Sequence, residues 1–531
     1  MELKFLVRYT TILTSIAVLA ACSSADSGTT ATPLTPSTPT AVTISGSIFA
    51  SSVNSATVTV KNSNGDTVAG PVMTATDGTY SIDVLDTDLA TDLVFESTGG
   101  LFDDEATGDI GVQAGAMSAF VDGGTLASGD SVHVTPGTTI TAALVIQHNK
   151  SVSEAETAFF NAFAYNPDIS IEPVDVTDAS SITADDASKH IGWRAAVFSK
   201  LAMDLLLTPA QQFDMFAALA QDLSDSQLDS VDASGAVDIG STGTTLPADI
   251  LNKYITATGS FTTAEAANLV VTYTPPKENV HGKNQFTLTI TDTGGTPVTG
   301  LTDLQVMPMM YMADRTHATP MGGVTELGNG EYEVTAYYLM PSRMQMNTVT
   351  MGTWDLKVMT NMKSVHFYPN IEMAMMTNTV RTEPPLKGIS DTIFNMDGLE
   401  VGRPYNLFRD DLIDLGAGTT YDFDIFIAPM ETMMSFPTLI VGETLLSGMG
   451  GTPYTVNSVD VDVNVNNGGW LTNKDTDNLD GTWNLKALPL DNPGTNEIRV
   501  RLTVNGEVKT TDGLPAQTDV NDFVTFTVTL P

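Results

Sequence analysis

Three turns of one kind recur along this chain, and each places a glycine two residues before an aromatic residue that starts a strand. They are Asp77-Gly78-Thr79-Tyr80, Asn329-Gly330-Glu331-Tyr332 and Asp480-Gly481-Thr482-Trp483. After the first turn, Tyr80, Ile82 and Val84 alternate with polar residues, a pattern typical of a strand with one buried face. Many short alternating strands are characteristic of small antiparallel sandwiches. The chain is therefore predicted to be mainly β, a string of at least three Ig-like β-sandwich domains.

A helical period interrupts this pattern between about residues 135 and 268. Ser153-Glu154-Ala155-Glu156 resembles a capping box, and Thr208-Pro209-Ala210-Gln211 combines an N-cap with a proline at the first helical position. Within this region apolar residues recur at helical spacing, as in Ile191, Ala195 and Phe198. We expect a helical module between the first and second sandwiches, with no chemistry of its own and with His190 on its surface.

The first residues predict export. Lys4 and Arg8 precede an apolar run from about residue 9 to 21, which is short for a membrane span. The run ends in Leu19-Ala20-Ala21-Cys22 and resembles the lipobox of bacterial lipoproteins, which implies that the Cys22 thiol carries a lipid with acyl chains such as palmitate. Cys22 is the only cysteine, so no disulfide can form within the chain. Ser23 after the cysteine resembles the sorting signal for the outer membrane.

The charge balance excludes one class of partner. The chain has 63 acidic and 23 basic residues and a formal charge of −40. Such a surface repels nucleic acid and offers it no basic footprint. The same surface repels anionic lipid, so the predicted attachment to the membrane is through the lipid anchor alone.

Composition and the spacing of apolar residues together divide the chain into seven segments. These are a lipoprotein signal peptide (1–21), a Ser/Thr/Pro tether (22–40), a first β-sandwich (41–134), a helical module (135–272), a methionine-rich β-sandwich (280–362), a second methionine-rich β domain (363–455) and a last Ig-like β-sandwich (456–531).

Methionine is concentrated in one part of the chain. Nineteen of the 24 methionines lie between Met307 and Met449. Thioether sulfur is a soft ligand that prefers Cu(I), and imidazole is a usual companion ligand for copper. Methionine also fills irregular gaps in hydrophobic cores. The pattern by itself leaves both roles open.

The candidate metal ligands form two groups around histidines. The preferred group is Met309, Met312, His317 and Met321, with Met351 as a further ligand, and the second is His366 with Met373, Met375 and Met376. For His366 alone a core or surface position is the simpler interpretation. Pro308 lacks an N–H group, so the first methionine segment is expected on an edge strand or in a loop.

Several motifs of the middle region resemble one family in their order. They are Gly295-Thr296-Pro297-Val298, Met307-Pro308-Met309-Met310, His317, Gly328-Asn329-Gly330-Glu331-Tyr332 and Met351-Gly352-Thr353-Trp354-Asp355-Leu356. Over about 75 residues this order is similar to YtkA-like and FixH-like domains, which implies an exported sandwich that handles copper through Met and His. The first sandwich resembles carboxypeptidase-regulatory-like domains, and the last resembles bacterial Ig-like repeats.

Three functions are consistent with these features. The first is an envelope lipoprotein that binds or buffers copper, with a copper donor or acceptor protein as its partner. The second is a structural or adhesive cell-surface protein whose methionines only pack, and the third is a scavenger of oxidants, since exposed thioethers oxidise to sulfoxides. The sequence contains no zinc-protease, haem-attachment or phosphate-loop motif and no nucleophile elbow, so an enzyme is not expected.

Overall fold

A computed structural model describes residues 39–531, apart from 179–180, 182, 261–268, 345–348, 361–362, 376, 417, 447–452, 473–474 and 478. The described part contains 32 strands and five α-helices, so the prediction of a mainly β protein is confirmed. Three sandwiches follow one another, and the helices lie between the first and the second.

The first sandwich contains one sheet of two strands and one of four. Its strands are β1 Ala41–Ser47, β2 Thr57–Asn62, β3 Thr67–Met73, β4 Thr79–Leu85, β5 Leu93–Thr98, β6 Leu101–Phe102, β7 Val112–Gln113 and β8 Met117–Val121. β1 pairs with β4, the order of the larger sheet is β3-β2-β5-β8, and β6 pairs with β7. Gly78 turns the chain into β4 with a φ of +79°, and a Cβ there would lie 2.8 Å from the Ile48 carbonyl oxygen. This turn therefore requires glycine.

The described residues of the helical module form five α-helices together with short 3₁₀ turns. They are α1 Pro136–Ile146, α2 Val152–Phe163, α3 Asp186–Asp204, α4 Gln212–Asp222 and α5 Ile250–Ser260, with 3₁₀ turns at Pro209–Gln211, Leu223–Asp225 and Gly240–Thr242 and two short strands, β9 Val231–Asp232 and β10 Gly235–Ala236. The capping box of α2 is formed by Ser151 and Glu154, two residues earlier than predicted. Thr208 and Gln211 form the second predicted box. These helices share one hydrophobic core with the first sandwich.

The second sandwich pairs two four-stranded sheets. Its strands are β11 Leu269–Thr274, β12 Gly282–Asp292, β13 Gln305–Tyr311, β14 Thr316–Ala318, β15 Met321–Gly328, β16 Glu331–Tyr338, β17 Arg343–Met344, β18 Val349–Thr350, β19 Thr353–Thr360 and β20 Lys363–Phe367. One sheet has the order β11-β12-β16-β15 and the other β14-β13-β19-β20, while β17 and β18 form a small hairpin. Trp354 and Met310 are fully buried in the core between the sheets.

The last sandwich contains two five-stranded sheets. Its strands are β21 Leu386–Phe394, β22 Glu400–Asp414, β23 Thr420–Pro429, β24 Thr444–Leu445, β25 Tyr454–Thr455, β26 Val459–Val465, β27 Trp470–Leu471, β28 Asp475–Asp477, β29 Thr482–Pro489, β30 Gly494–Val504, β31 Glu507–Val508 and β32 Val524–Leu530. One sheet has the order β21-β22-β23-β29-β28, and the other contains β27, β26, β30, β31 and β32. Strands from the predicted segments 363–455 and 456–531 thus share one sheet and one core.

Candidate functional site

Strand β13 divides its methionines between two environments. Met310 is fully buried, whereas Met307 is 38% exposed and Met309 is half-buried. Side chains alternate between the two faces of a strand. Met310 therefore faces the core of the second sandwich, and Met307 and Met309 face the outer side of the same sheet.

Pro308 does not lie on an edge strand, because β13 pairs with β14 on one side and with β19 on the other. Pairing with β14 covers only Met309 to Tyr311, while Pro308 lies opposite Leu356 of β19. No ladder hydrogen bond from Pro308 is needed on the β14 side, because β14 has already ended there. The short partner strand explains how proline fits into the interior of this sheet.

His317 lies on β14 directly opposite Met310 and is 2% exposed. Its Nδ1–H donates to the carbonyl oxygen of Ala318 at 2.7 Å, and its ring meets Trp354 edge-on at 5.4 Å between centroids. Among the described residues Nε2 has no hydrogen-bond partner. Burial lowers the pKa of His317, which favours the neutral ring. A histidine held by one nitrogen with the other nitrogen free has the arrangement of many metal ligands.

The predicted ligand group does not meet at one point. Met310 is paired with His317, so the neighbouring Met309 points to the opposite face of the sheet. Met312, Met321 and Met351 are partly buried and pack against the core of the second sandwich. Spacing in the sequence could not reveal this separation, because it depends on which residue of β13 pairs with His317.

The second predicted group is also divided. His366 lies on β20, and its Nδ1 donates to the carboxylate of Asp355 at 2.9 Å from both oxygens. Met373 is 43% exposed and Met375 is 81% exposed. Met376 lies outside the described residues. His366 is 1% exposed, which agrees with the core position considered for it.

His190 is buried, in contrast to the predicted surface position, because α3 packs on the outer face of the β13–β19–β20 sheet. It is 6% exposed and stacks on Tyr311 with 4.4 Å between ring centroids. Asp186 of α3 accepts from Lys357 of β19 at 2.6 Å. The amphipathic pattern of α3 indicates one buried side of the helix, and it does not show that the side carrying His190 is buried as well.

Two buried arginines complete the contact between the helices and the second sandwich. Arg194 of α3 donates to the carbonyl oxygens of Phe163 at 3.1 Å and Ala164 at 3.2 Å. Arg343 of β17 donates to Asn161 at 3.0 Å and Ala162 at 2.7 Å. These are the last carbonyls of α2, which have no partner within the helix. Burial lowers the pKa of Arg343 to about 10, so the guanidinium remains charged at neutral pH.

A cleft of about 400 Å³ lies between the second and last sandwiches. Four methionines line it, namely Met307, Met309, Met321 and Met434. We call this feature the methionine cleft. The sequence predicts Met309 and Met321 as ligands but groups neither of them with Met307 or Met434. The Met433-Met434 pair is visible in the sequence, but more than a hundred residues separate it from β13, so the sequence does not show that the two are neighbours in space.

Conventional metal ligands do not form a site in the part of the chain that the structure describes. There, no group of three or more His, Cys, Asp or Glu residues is arranged to hold a metal ion. None of the helices among these residues has the length and apolarity needed to span a membrane. Cys22, the predicted lipidation site, lies outside the described residues.

No protein family profile matches this chain, and no curated protein matches it. Among solved structures it is similar to the Yersinia pseudotuberculosis adhesin InvE, with a TM-score of 0.15 and 15% identity over 50% of this chain and 58% of that one. It is also similar to the Escherichia coli adhesin FdeC, with a TM-score of 0.15 and 14% identity over 50% of this chain and 64% of that one. The chain thus matches about six-tenths of each of these proteins, and TM-scores this low support no inference about function.

Proposed function

We propose that this chain is a structural or adhesive protein of the bacterial cell envelope, without enzymatic activity. The observation that carries the proposal is the interlocking of its modules. The end of α2 is capped by Arg343 from the second sandwich, and Tyr337 of that sandwich stacks on Phe426 of the last one at 3.9 Å. Buried contacts of this kind hold neighbouring modules in fixed positions, which suits a protein that presents a surface or spans a distance.

The environment of the buried methionines supports a packing role. Met310 belongs to the core of the second sandwich, and four other methionines of the same region pack against that core: Met312, Met321, Met340 and Met351. Methionine adapts to irregular spaces between larger side chains such as Trp354. Five of the nineteen methionines in this region thus have a packing role that needs no metal.

The proposed location depends on the first residues of the chain. The apolar run followed by Cys22 supports export and lipid anchoring, with the outer membrane as the destination favoured by Ser23. Several acyl chains on one residue give stable attachment to a membrane. We propose that the sandwiches are held at the envelope through this residue.

Attachment and envelope-integrity assays on whole cells give a direct test of the proposal. Cells that carry the full chain are compared with cells that lack it and with cells that carry the Cys22→Ser variant, for attachment to protein-coated and bare surfaces and for envelope integrity under detergent. We expect the full chain to increase attachment or integrity and the variant to lose the gain. Equal values for all three cell types would contradict the proposal.

Copper binding inside the second sandwich is a second candidate function, and it is favoured by the Nε2 atom of His317. This nitrogen is buried and has no hydrogen-bond partner among the described residues, and His317 lies opposite Met310 in the strand pairing. Imidazole together with a thioether suits copper. His317→Ala should lower Cu(I) affinity at least tenfold if this nitrogen is a ligand, while an unchanged affinity would contradict the candidate site.

A further inference from the structure

We propose that the methionine cleft is a Cu(I) site formed by thioethers from two sandwiches. It lies on the opposite face of the sheet from His317, and it depends neither on that residue nor on the structural role proposed above. The floor is the outer face of β13, from which Met307 and Met309 project at alternate positions. Met321 follows β14 at one side, and Met434 comes from the loop after β23 on the other.

The loop that carries Met434 is fixed to the second sandwich. The backbone N–H of Ala318 in β14 donates to the Met433 carbonyl oxygen at 2.8 Å. Glu431 forms a fully buried ion pair with Arg403 at the start of the loop. Phe436 packs against the apolar cluster between the two sandwiches. Both ends of the methionine-bearing turn are therefore held, so that binding would need little ordering of the loop.

Exposure distinguishes Met307 and Met434 from the methionines in the core, whereas Met321 both borders the cleft and packs against the core of the second sandwich. Met434 is 50% exposed and Met307 is 38% exposed, whereas Met310 is fully buried. An apolar side chain gains most from burial when it is removed from water completely. Packing alone therefore gives no reason for several half-exposed methionines to border one cleft, whereas a ligand that arrives from solvent needs accessible sulfur.

The chemistry of the lining selects the ion. Among the described residues, the side chains that line the cleft include no carboxylate, imidazole, ammonium or guanidinium group, and the polar ones are the hydroxyls of Thr319, Ser435 and Thr438. Asp355 and Lys357 lie opposite Met309 and Met307 on β19, but neither lines the cleft. Protein sites for Ca²⁺ and Mg²⁺ rely on carboxylate oxygens and sites for Zn²⁺ on thiolate, imidazole or carboxylate, and three neutral hydroxyls replace none of these. Cu(I) accepts neutral thioethers. The formal charge of −40 further favours the approach of a cation.

An anaerobic competition titration tests the site. The full chain carrying Cys22→Ser, which removes the only thiol, is titrated with Cu(I) against a chromophoric Cu(I) chelator. We expect one Cu(I) to be retained per chain, and we expect Met309→Leu together with Met434→Leu to weaken its binding at least tenfold. Leucine conserves most of the apolar volume, so the fold should be retained. Thermal unfolding of each variant verifies this.

Matched controls separate this site from other sources of affinity. Met73 and Met396 are 67% and 69% exposed and do not line the cleft, so Met73→Leu together with Met396→Leu should leave the affinity unchanged. His317→Ala should also leave it unchanged. The proposal is overturned if the cleft variant binds Cu(I) as tightly as the parent chain, if the control pair weakens binding equally, or if His317→Ala alone abolishes it. X-ray absorption of the loaded chain should detect sulfur-only coordination, and a nitrogen ligand would likewise contradict the proposal.

Discussion

Arg343 joins the second sandwich to the helical module through a single side chain. It is 5% exposed and donates to two carbonyl oxygens at the end of α2 and to the Thr350 hydroxyl at 2.7 Å. The partial negative charge at a helix C-terminus favours a cation at this position. The guanidinium thus donates to two buried carbonyl oxygens, of which that of Asn161 also accepts from the Thr350 hydroxyl.

Replacing Arg343 by Met keeps much of the side-chain volume and removes the donors. We expect Arg343→Met to lower the free energy of unfolding by about 3 kcal/mol, because the buried Ala162 carbonyl loses its charged donor and the Asn161 carbonyl keeps only the Thr350 hydroxyl. Arg315 is a suitable control, since its side chain is 50% exposed and, within the described part of the chain, its ion pair is with the neighbouring Asp314. Arg315→Met should change stability by less than about 0.5 kcal/mol. Urea unfolding of both variants measures the difference. Equal losses of unfolding free energy would show that the hydrogen bonds from Arg343 to the end of α2 contribute nothing specific.

Asp424 carries a charge that the folded state disfavours. Burial, together with the nearby carboxylates of Asp410 and Asp411, raises the pKa of Asp424 to about 6. Its folded pKa lies above the ordinary value of 3.8, so the folded state holds the proton more tightly between these two values. The contribution of Asp424 to stability therefore falls as the pH rises from about 4 to about 6, and the loss is complete above that window.

Asp424→Asn removes the charge with little change of shape. We expect the variant to be more stable than the parent at pH 7.5, by on the order of 1 kcal/mol after allowance for partial exposure. Near pH 4 the two proteins should differ little. The midpoint of thermal unfolding measured from pH 4 to 8 tests this, with Asp66→Asn as an exposed control for the general loss of negative charge. A gain that is independent of pH would contradict the assignment.

At the scale of elements, β16 and β23 hold the second and last sandwiches together. Tyr337 stacks on Phe426 with 1° between the ring planes, and its hydroxyl donates to Asp410. Lys283 of β12 also pairs with Asp410 at 2.9 Å. Apolar contact and buried polar contact therefore coincide at this interface.

Phe426→Ala should loosen that interface. The side chain is fully buried, and truncation of a buried phenylalanine costs about 3 to 5 kcal/mol. We expect faster proteolysis in the connection between β20 and β21, because fewer contacts would hold the two sandwiches together. Phe526→Ala is the matched control, since Phe526 is equally buried but lies in the core of the last sandwich alone. Equal cleavage rates in the two variants would mean that the stacking does not couple the sandwiches.

At the scale of the whole molecule, membrane attachment is predicted to depend on one residue. We expect Cys22→Ser to release the chain in soluble form, because the acyl chains on Cys22 are the predicted anchor and the acidic surface does not attract anionic lipid. Fractionation of cells that express each form is the measurement. If the variant stays in the membrane fraction, another segment provides the anchor.

The sequence by itself determined the elements. Apolar residues at every second position, as in Val459, Val461 and Val463, indicated strands, because the side chains of a strand alternate between its two faces. Thr208 and Gln211 indicated the start of a helix, because their hydrogen bonds are made within four residues. These are local interactions, so a short window of sequence contains them. The methionine-rich region and the mainly β class were likewise visible in the sequence.

Only the tertiary structure decided which residues meet. Met309 and His317 are eight positions apart but face opposite sides of a sheet, because the register pairs His317 with Met310. Met434 borders the same cleft as Met309 although more than a hundred residues separate them. His190 is buried because α3 packs on a sheet formed much later in the chain. Strand register and module packing depend on contacts distant in sequence, and no local pattern of residues encodes them.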